Sequence, residues 1–234
     1  MIASGSPLPL ERTLRWPFAR YGTGVLVACS LIMAGATALA VWLLPWAAPI
    51  PALLLVFVLW FFRDPERVAP EGERKLLSPA DGTVADVETV REDRFLGGEA
   101  LRVGVFMSVF NVHVNRAPVS GTVAYRDYCP GKFLNAMAAE ASRANECSFV
   151  GLEMLDGTRV LVRQIAGLIA RRIVTACEVG DRLDRGERFG MVKFGSRLEV
   201  YVPAAAGFEA SVKVGDKVSA GMTILGTIGE GAEA

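Results

Sequence analysis

The chain has 234 residues, room for one ordinary domain and an appendage. Its formal net charge of +0 gives no global field to recruit nucleic acid, and its single histidine excludes a two- or three-histidine zinc centre, so neither a nucleic-acid partner nor a metal site is expected. Apolar residues make up 52% of the chain and the mean hydropathy is +0.35, more than a plain soluble domain carries, so the excess must gather in one stretch or mark a membrane.

Residues 1–20 read as an N-terminal segment on the cytoplasmic side. From Tyr21 to Phe62 there is no charged residue. A bilayer core takes about 20 apolar residues per helix, so this run holds one span, Gly24 to Leu44, and a shorter second segment, Ala52 to Phe62. Pro45, Pro49 and Pro51 separate them as helix breakers. Arg12, Arg15 and Arg20 precede the first segment and Arg63 and Arg67 follow the second. The positive-inside rule then predicts a hairpin over residues 21–62 with both ends in the cytoplasm. A cleaved signal peptide ending near Ala38-Leu39-Ala40 competes. Against it stand the second apolar run and the lack of a disulfide pattern among Cys29, Cys129, Cys147 and Cys177, which read as free thiols in a reducing compartment.

Residues 63–234 read as a β-rich domain, punctuated by Gly, Pro and Asp. The clearest strands are Leu101 to Val105, Val109 to Val114, Thr158 to Ile165, Leu198 to Val202 and Thr223 to Ile228, all Val- and Ile-rich. One Ala-rich helix is predicted over Phe133 to Ala144. Ser78-Pro-Ala-Asp-Gly-Thr-Val-Ala85 aligns without gaps to Ala117-Pro-Val-Ser-Gly-Thr-Val-Ala124, each a Pro-led turn in which Gly permits a positive φ before a strand. The stretch Val212 to Ile228 resembles the hairpin-and-return of biotinyl/lipoyl-type barrels. The expected fold is therefore mainly β, a lipoyl/biotinyl-like barrel-sandwich with one or two short helices behind a hydrophobic helical hairpin. A carrier role would need a lysine at a hairpin tip flanked by Met or Asp, and neither Lys193 nor Lys217 has that context.

Three polar residues stand out: Asp81 in the first Pro-x-Asp-Gly turn, His113 in Val109-Phe-Asn-Val-His-Val-Asn-Arg-Ala-Pro118, and Ser196 after Gly195. Singly, each reads as an ordinary turn or strand residue. Together, in a chain with one histidine, they form a candidate Ser/His/Asp set.

The landmarks then run in order along the chain: Phe61-Phe-Arg-Asp-Pro-Glu-Arg67, Ser78-Pro-Ala-Asp-Gly82, Val112-His-Val-Asn-Arg-Ala-Pro118, Pro130-Gly-Lys-Phe-Leu-Asn-Ala136, Asn145-Glu146, Gln164 to Ile173, and Arg188-Phe-Gly-Met-Val-Lys-Phe-Gly-Ser196. With these the sequence resembles phosphatidylserine decarboxylases of the short form, departing from them at Cys147, where that form often has Arg. The resemblance implies self-cleavage at Gly195-Ser196 into a β subunit ending at Gly195 and an α subunit whose first residue, the former Ser196, becomes a covalent pyruvoyl group. It implies that His113, with an unperturbed pKa of about 6.5, takes the serine proton and donates one during decarboxylation, with Asp81 orienting it. The pyruvoyl ketone would form a Schiff base with phosphatidylserine and release carbon dioxide, leaving phosphatidylethanolamine. The implied partners are a membrane phospholipid and the two subunits of one proenzyme. The implied place is the cell (inner) membrane, with the catalytic domain cytoplasmic; homo-oligomerisation stays open. Lys132, Arg116 and Arg171 are candidate phosphate partners by charge alone, and the helix after Lys132 would line the headgroup pocket or pack in the core. The alternatives are a decarboxylase for a related lipid such as archaetidylserine, a non-catalytic membrane-tethered lipoyl-like barrel, and a membrane serine hydrolase, for which the chain lacks a Gly-x-Ser-x-Gly elbow.

Overall fold

The computed structural model describes residues 17–134, 141–167, 173–193 and 195–229. These fall into two compact units, one ending at Pro65 and the other beginning at Glu66.

The first unit is a helical pair. Helix α1, Thr23–Leu43, is 21 residues of Ala, Leu, Val and other small or apolar types, about 30 Å long, the thickness of a hydrocarbon core. It is the one described helix long and apolar enough to cross a membrane. Within the span the Thr37 hydroxyl donates back to the Met33 carbonyl at 2.8 Å. The helix stops before Pro45, which cannot supply the next amide. Helix α2, Pro49–Phe61, begins earlier than the sequence reading expected. Pro49 and Pro51 lie in its first turn, where the missing amide has no intrahelical acceptor, so they start the helix rather than break it. The ends of the pair are stitched side by side. Ala19 donates to the Phe62 carbonyl at 2.8 Å, Asp64 donates to the Pro17 carbonyl at 2.9 Å, and Gly22 lies against the Phe62 ring.

The second unit is β-rich and antiparallel. In chain order it runs β1 (Lys75–Leu77), β2 (Gly82–Glu92), β3 (Gly98–Met107), β4 (Val114–Arg116), β5 (Gly121–Cys129), the short helix α3 (Ala141–Ala144), β6 (Cys147–Glu153), β7 (Arg159–Ile165), β8 (Ile173–Thr175), β9 (Arg182–Leu183), β10 (Arg188–Val192), β11 (Ser196–Pro203), β12 (Glu209–Ala210), β13 (Lys217–Val218) and β14 (Ile224–Thr227). A curled eight-stranded sheet has the order β13-β2-β3-β11-β7-β6-β5-β9, and two three-stranded sheets have the orders β1-β14-β12 and β4-β10-β8.

Alternation along β11 divides two environments. Leu198, Val200 and Val202 enter the main core with Val103, Val105, Val150, Val162 and Leu225. Arg197, Glu199 and Tyr201 face the other side, where Glu199 is fully buried and accepts from Arg197 at 2.8 Å, from Tyr201 at 2.5 Å and from Ser142. Arg197 also pairs with Asp86, and Arg102 and Arg163 approach Glu199 at 3.8 and 3.6 Å. Burial alone would push the Glu199 carboxyl up; Arg197, Ser142, Tyr201 and Arg102 outweigh it and hold it below the usual carboxylate range. Burial, with the Glu199 charge second, pushes the Tyr201 phenol well up.

Two expectations change here. The strand expected over Val109 to Val114 begins only at Val114, because the Asn111 side chain accepts from the Ser108 amide and hydroxyl, both at 2.8 Å, and closes a turn. The helix expected from Phe133 does not include Phe133 or Leu134. Asn145 bonds the Leu134 amide at 2.8 Å and its carbonyl at 2.9 Å, holding it out of a helix, and residues 135–140 lie outside the described set.

The internal echo is real in backbone terms, with a different reason for its glycines. Gly82 opens β2 and Gly121 opens β5, neither at positive φ. A Cβ on Gly82 would lie 2.1 Å from the Phe106 carbonyl oxygen, and one on Gly121 would lie 2.7 Å from that of Glu153. Close strand approach demands glycine at both.

Candidate active site

Gly195 and Ser196 join the two β systems. Strand β10 belongs to the three-stranded sheet and β11 to the eight-stranded one, so the chain changes sheets between Val192 and Ser196. Gly195 makes the change at φ +60°, the left-handed region that costs an L-residue about 1–2 kcal/mol. An added Cβ would meet nothing within 4 Å there, so the demand for glycine is conformational and not steric.

Ser196 is the first residue of β11 and is the register partner of Met107 at the end of β3. It is fully buried, and among the described residues its hydroxyl has no hydrogen-bond partner. An unmade bond of this kind is costly, so a buried orphan hydroxyl calls for a reason such as reactivity.

His113 is also fully buried and directly precedes β4. Val114 is opposite Met191 on β10, so continuing that antiparallel register by one step sets His113 level with Val192, the last residue of β10 before the change of sheets. Asn115 also reaches back to the end of β3, its Nδ2 lying 3.9 Å from the Met107 sulfur. The His113 segment and Ser196 thus converge on the same end of β3.

Asp81 lies in the turn before β2 and is 8% exposed. Its turn is bound to β4: Arg116 donates its amide to the Pro79 carbonyl at 3.0 Å, three residues after His113. Its carboxylate, however, receives Arg67 through two guanidinium nitrogens, at 2.5 and 2.9 Å, and the Ala220 amide at 2.8 Å. Asp81 therefore shares the neighbourhood of His113 through backbone contacts, while its hydrogen bonds go to Arg67 and Ala220. The sequence reading used Arg67 as a charge flanking the apolar run and gave it no role in the site. The only available signal was its place in the Phe61-to-Arg67 motif.

A second set that sequence reasoning missed is a buried polar chain. Gln164, fully buried on β7 and opposite Leu198 of β11, donates to Asn115 Oδ1 at 2.7 Å. Its carbonyl oxygen accepts from the Thr175 hydroxyl at 2.7 Å, and Thr175 lies 2.9 Å from the Ser148 hydroxyl. Asn115 in turn donates to the His113 carbonyl at 3.4 Å. Ser148 and Thr175 line an open pocket of about 570 Å³ together with Arg126, Asp127, Tyr128, Ile173 and Val174.

The other candidates are scattered. Arg116 is buried and donates to the Gly186 carbonyl at 3.0 Å; Lys132 is exposed and bridged to Asn145; Arg171 lies outside the described residues. Lys217 lies on β13 and donates to the Thr83 hydroxyl at 2.6 Å, and Lys193 is buried just after β10. No group of three or more metal-ligating side chains occurs among the described residues.

Comparison with known proteins bears on this arrangement. The family model described as phosphatidylserine decarboxylase matches residues 54–226. The chain is 50% identical to the phosphatidylserine decarboxylase proenzyme of Symbiobacterium thermophilum over 91% of its length and 93% of the relative's. It is 45% identical to the protein of that name from Aromatoleum aromaticum over 96% and 98%, and 47% identical to the one from Ralstonia nicotianae over 94% and 96%. The family match spans the Asp81 turn, the His113 segment and the Gly195-Ser196 junction together. The chain belongs to the phosphatidylserine decarboxylase family.

Proposed function

We propose that this protein removes carbon dioxide from phosphatidylserine, yielding phosphatidylethanolamine, after cutting its own chain between Gly195 and Ser196. The observation that carries the proposal is the buried Ser196 hydroxyl, without a hydrogen-bond partner among the described residues, directly after a glycine at φ +60°. In this reading His113 takes the Ser196 proton and the hydroxyl oxygen adds to the Gly195 carbonyl carbon. The peptide nitrogen leaves as an amine, giving an ester. Loss of the residue-196 Cα proton then expels the Gly195 carboxylate and leaves a dehydroalanine. Its enamine tautomerises, water adds and ammonia departs, so residue 196 ends as a pyruvoyl group. That group, when present, supplies an electron sink for the bond to the departing carboxylate.

The residues present fit such a group. Ser196 stands at the end of a strand held on both edges by β3 and β7, so its Cα has a fixed position. The surrounding core excludes water, which protects a reactive carbonyl. His113 holds the proton that returns to the substrate carbon. Among the described residues Asp81 Oδ2 accepts only from Arg67 and has acceptor capacity for the imidazole as well, and we assign Asp81 the role of orienting His113 during processing.

We further read residues 21–62 as the membrane hairpin, residues 63–195 as the β subunit's catalytic portion and residues 196–234 as the α subunit. Both ends of the hairpin and the catalytic domain would lie on the cytoplasmic side of the cell membrane. The stitched Pro17–Asp64 ends support a hairpin, and the apolar α1 supports membrane association. A lipoyl/biotinyl-like barrel-sandwich is the finer fold reading, supported by β13 and β14, which follow the turns at Gly215 and Gly221 and enter two different sheets, each antiparallel to its neighbours.

The test is the intact mass of the purified full chain beside Ser196→Ala. The wild type is expected as two fragments split after Gly195, the smaller lacking an ordinary N-terminal serine; Ser196→Ala stays whole. Borohydride with phosphatidylserine should add the trapped amine to the smaller fragment. An uncut wild-type chain overturns the proposal. Comparing turnover of phosphatidylserine with that of archaetidylserine fixes the lipid class. Protection of everything after Arg63 from protease in inside-out vesicles overturns the topology.

A further inference from the structure

Cys129 closes β5 and Cys147 opens β6, and the two are direct register partners, the final pair of that ladder. Residues facing each other on antiparallel strands have Cα atoms about 4.5–5.5 Å apart, inside the roughly 4.4–6.8 Å that a disulfide spans. Both are free thiols. They meet in one apolar cluster, with Cys147 buried in it and Cys129 packed against its edge. Polar neighbours hold each sulfur: Asp127 Oδ2 lies 3.8 Å from that of Cys129, and Arg163 Nη2 lies 3.4 Å from that of Cys147. Burial pushes the Cys147 thiol up, Arg163 opposes this, and the Cys129 thiol adds to the rise. A buried thiol of that kind is a poor first nucleophile, whereas Cys129 is half-buried and reaches solvent.

We propose that Cys129 and Cys147 form a modification site, a cross-strand dithiol that a peroxide converts into a disulfide. Cys129 meets the peroxide first. Its thiolate attacks one peroxide oxygen, the O–O bond breaks, water leaves, and a sulfenic acid remains. The Cys147 sulfur then attacks the sulfenic sulfur, its proton joins the departing hydroxide, and a second water leaves as the S–S bond forms. Two thiols are oxidised by two electrons and one peroxide is reduced to two waters. The strands are already paired, so no backbone rearrangement is needed. The bridge closes the neck of the excursion 130–146, whose two ends are otherwise joined by backbone bonds from Lys132 to the Ala144 carbonyl and from Glu146 to the Lys132 carbonyl, at 2.7 and 3.0 Å. Thiol reductants of a reducing compartment reverse it. The site stands apart from the proposed activity.

The test uses the full chain in detergent, treated with stoichiometric hydrogen peroxide, alkylated and digested without reduction. The expected product is one peptide pair joining Cys129 to Cys147, about 2 Da lighter than the two thiol peptides and separated by dithiothreitol. In Cys147→Ser, dimedone should tag Cys129; in Cys129→Ser, Cys147 should remain a thiol. A wild-type chain in which Cys129 becomes sulfinic acid while Cys147 stays alkylatable overturns the proposal. So does a bridge to Cys29 or Cys177. The wild-type digest decides even if a variant fails to fold.

Discussion

The Gln164 carboxamide on β7 donates to the Asn115 side chain on β4 at 2.7 Å, fastening the eight-stranded sheet to the strand that follows the only histidine. This bond crosses between two sheets inside the protein, and it ties the His113 segment to β7, the strand paired with the one that begins at Ser196.

Gln164→Leu keeps the volume and removes the bonds to Asn115, Val174 and Thr175, stranding Asn115 Oδ1 and leaving the Thr175 hydroxyl only its Ser148 partner. A loss of about 1–3 kcal/mol of stability is expected, measured by denaturant unfolding. Self-cleavage should slow as well. A displaced imidazole would appear as a shifted His113 resonance in an uncleavable Ser196→Ala background, where the lone histidine makes the signal unambiguous.

Gly195→Ala should fold, since its Cβ meets nothing within 4 Å, yet it must hold φ +60° against a penalty of about 1–2 kcal/mol. The expected result is a near-normal melting temperature with slower appearance of the two fragments on a gel. A melting temperature depressed as far as in Gly82→Ala, where backbone oxygen lies 2.1 Å from the new carbon, would contradict this.

Arg67→Ala leaves the Asp81 carboxylate buried with, among the described residues, only the Ala220 amide as partner. Breaking a buried pair from one side costs about 3–5 kcal/mol. Arg67→Lys should recover part of that loss but not the two-pronged geometry. Urea midpoints of the three proteins check the order wild type, Lys, Ala.

Glu199 gives the protein an acid limb. Its folded carboxyl lies below the ordinary value of about 4.3, because Arg197, Ser142, Tyr201 and Arg102 outweigh its burial. A depressed folded value means its stabilisation is fully present above the unfolded value and is lost as pH falls through the folded one. Stability followed from pH 7 down to about pH 3 should fall in that window for the wild type. Glu199→Gln should be less stable at neutral pH, with Arg197 left short of its partner, and should show a flatter acid limb.

Much of the architecture was legible because it depends on local pattern. The charge-free run from Tyr21 to Phe62 can only be an apolar helical unit, and the Val-rich runs at Leu101 to Val105 and Leu198 to Val202 fall inside β3 and β11. The start of α2 was misread because proline breaks a helix in its middle but tolerates its first turn, and sequence alone does not say which position it holds. Within the candidate site, the motif around Gly195-Ser196 was legible, but the partner of Asp81 was not. Arg67 is separated from it by 14 residues, and either it or His113 satisfies the same carboxylate chemistry. The Gln164–Asn115 bond spans 49 residues and leaves no local trace. The glycines of the internal echo were found for the wrong reason, since crowding by a neighbouring strand is a tertiary fact.

Strand β11 lies between β3 and β7, hydrogen-bonded on both edges, and the residues after Ser196 also supply β13 to the same sheet and β12 and β14 to another. A nick before Ser196 would therefore free a new chain end without freeing a chain. The 196–234 piece would stay woven through two sheets, and parting it from the rest would mean dismantling the fold. The consequence of such a nick would be a heterodimer never assembled from separate partners: its stoichiometry would be fixed at one to one by birth, it would need no encounter, and dilution would not undo it while the sheets endure.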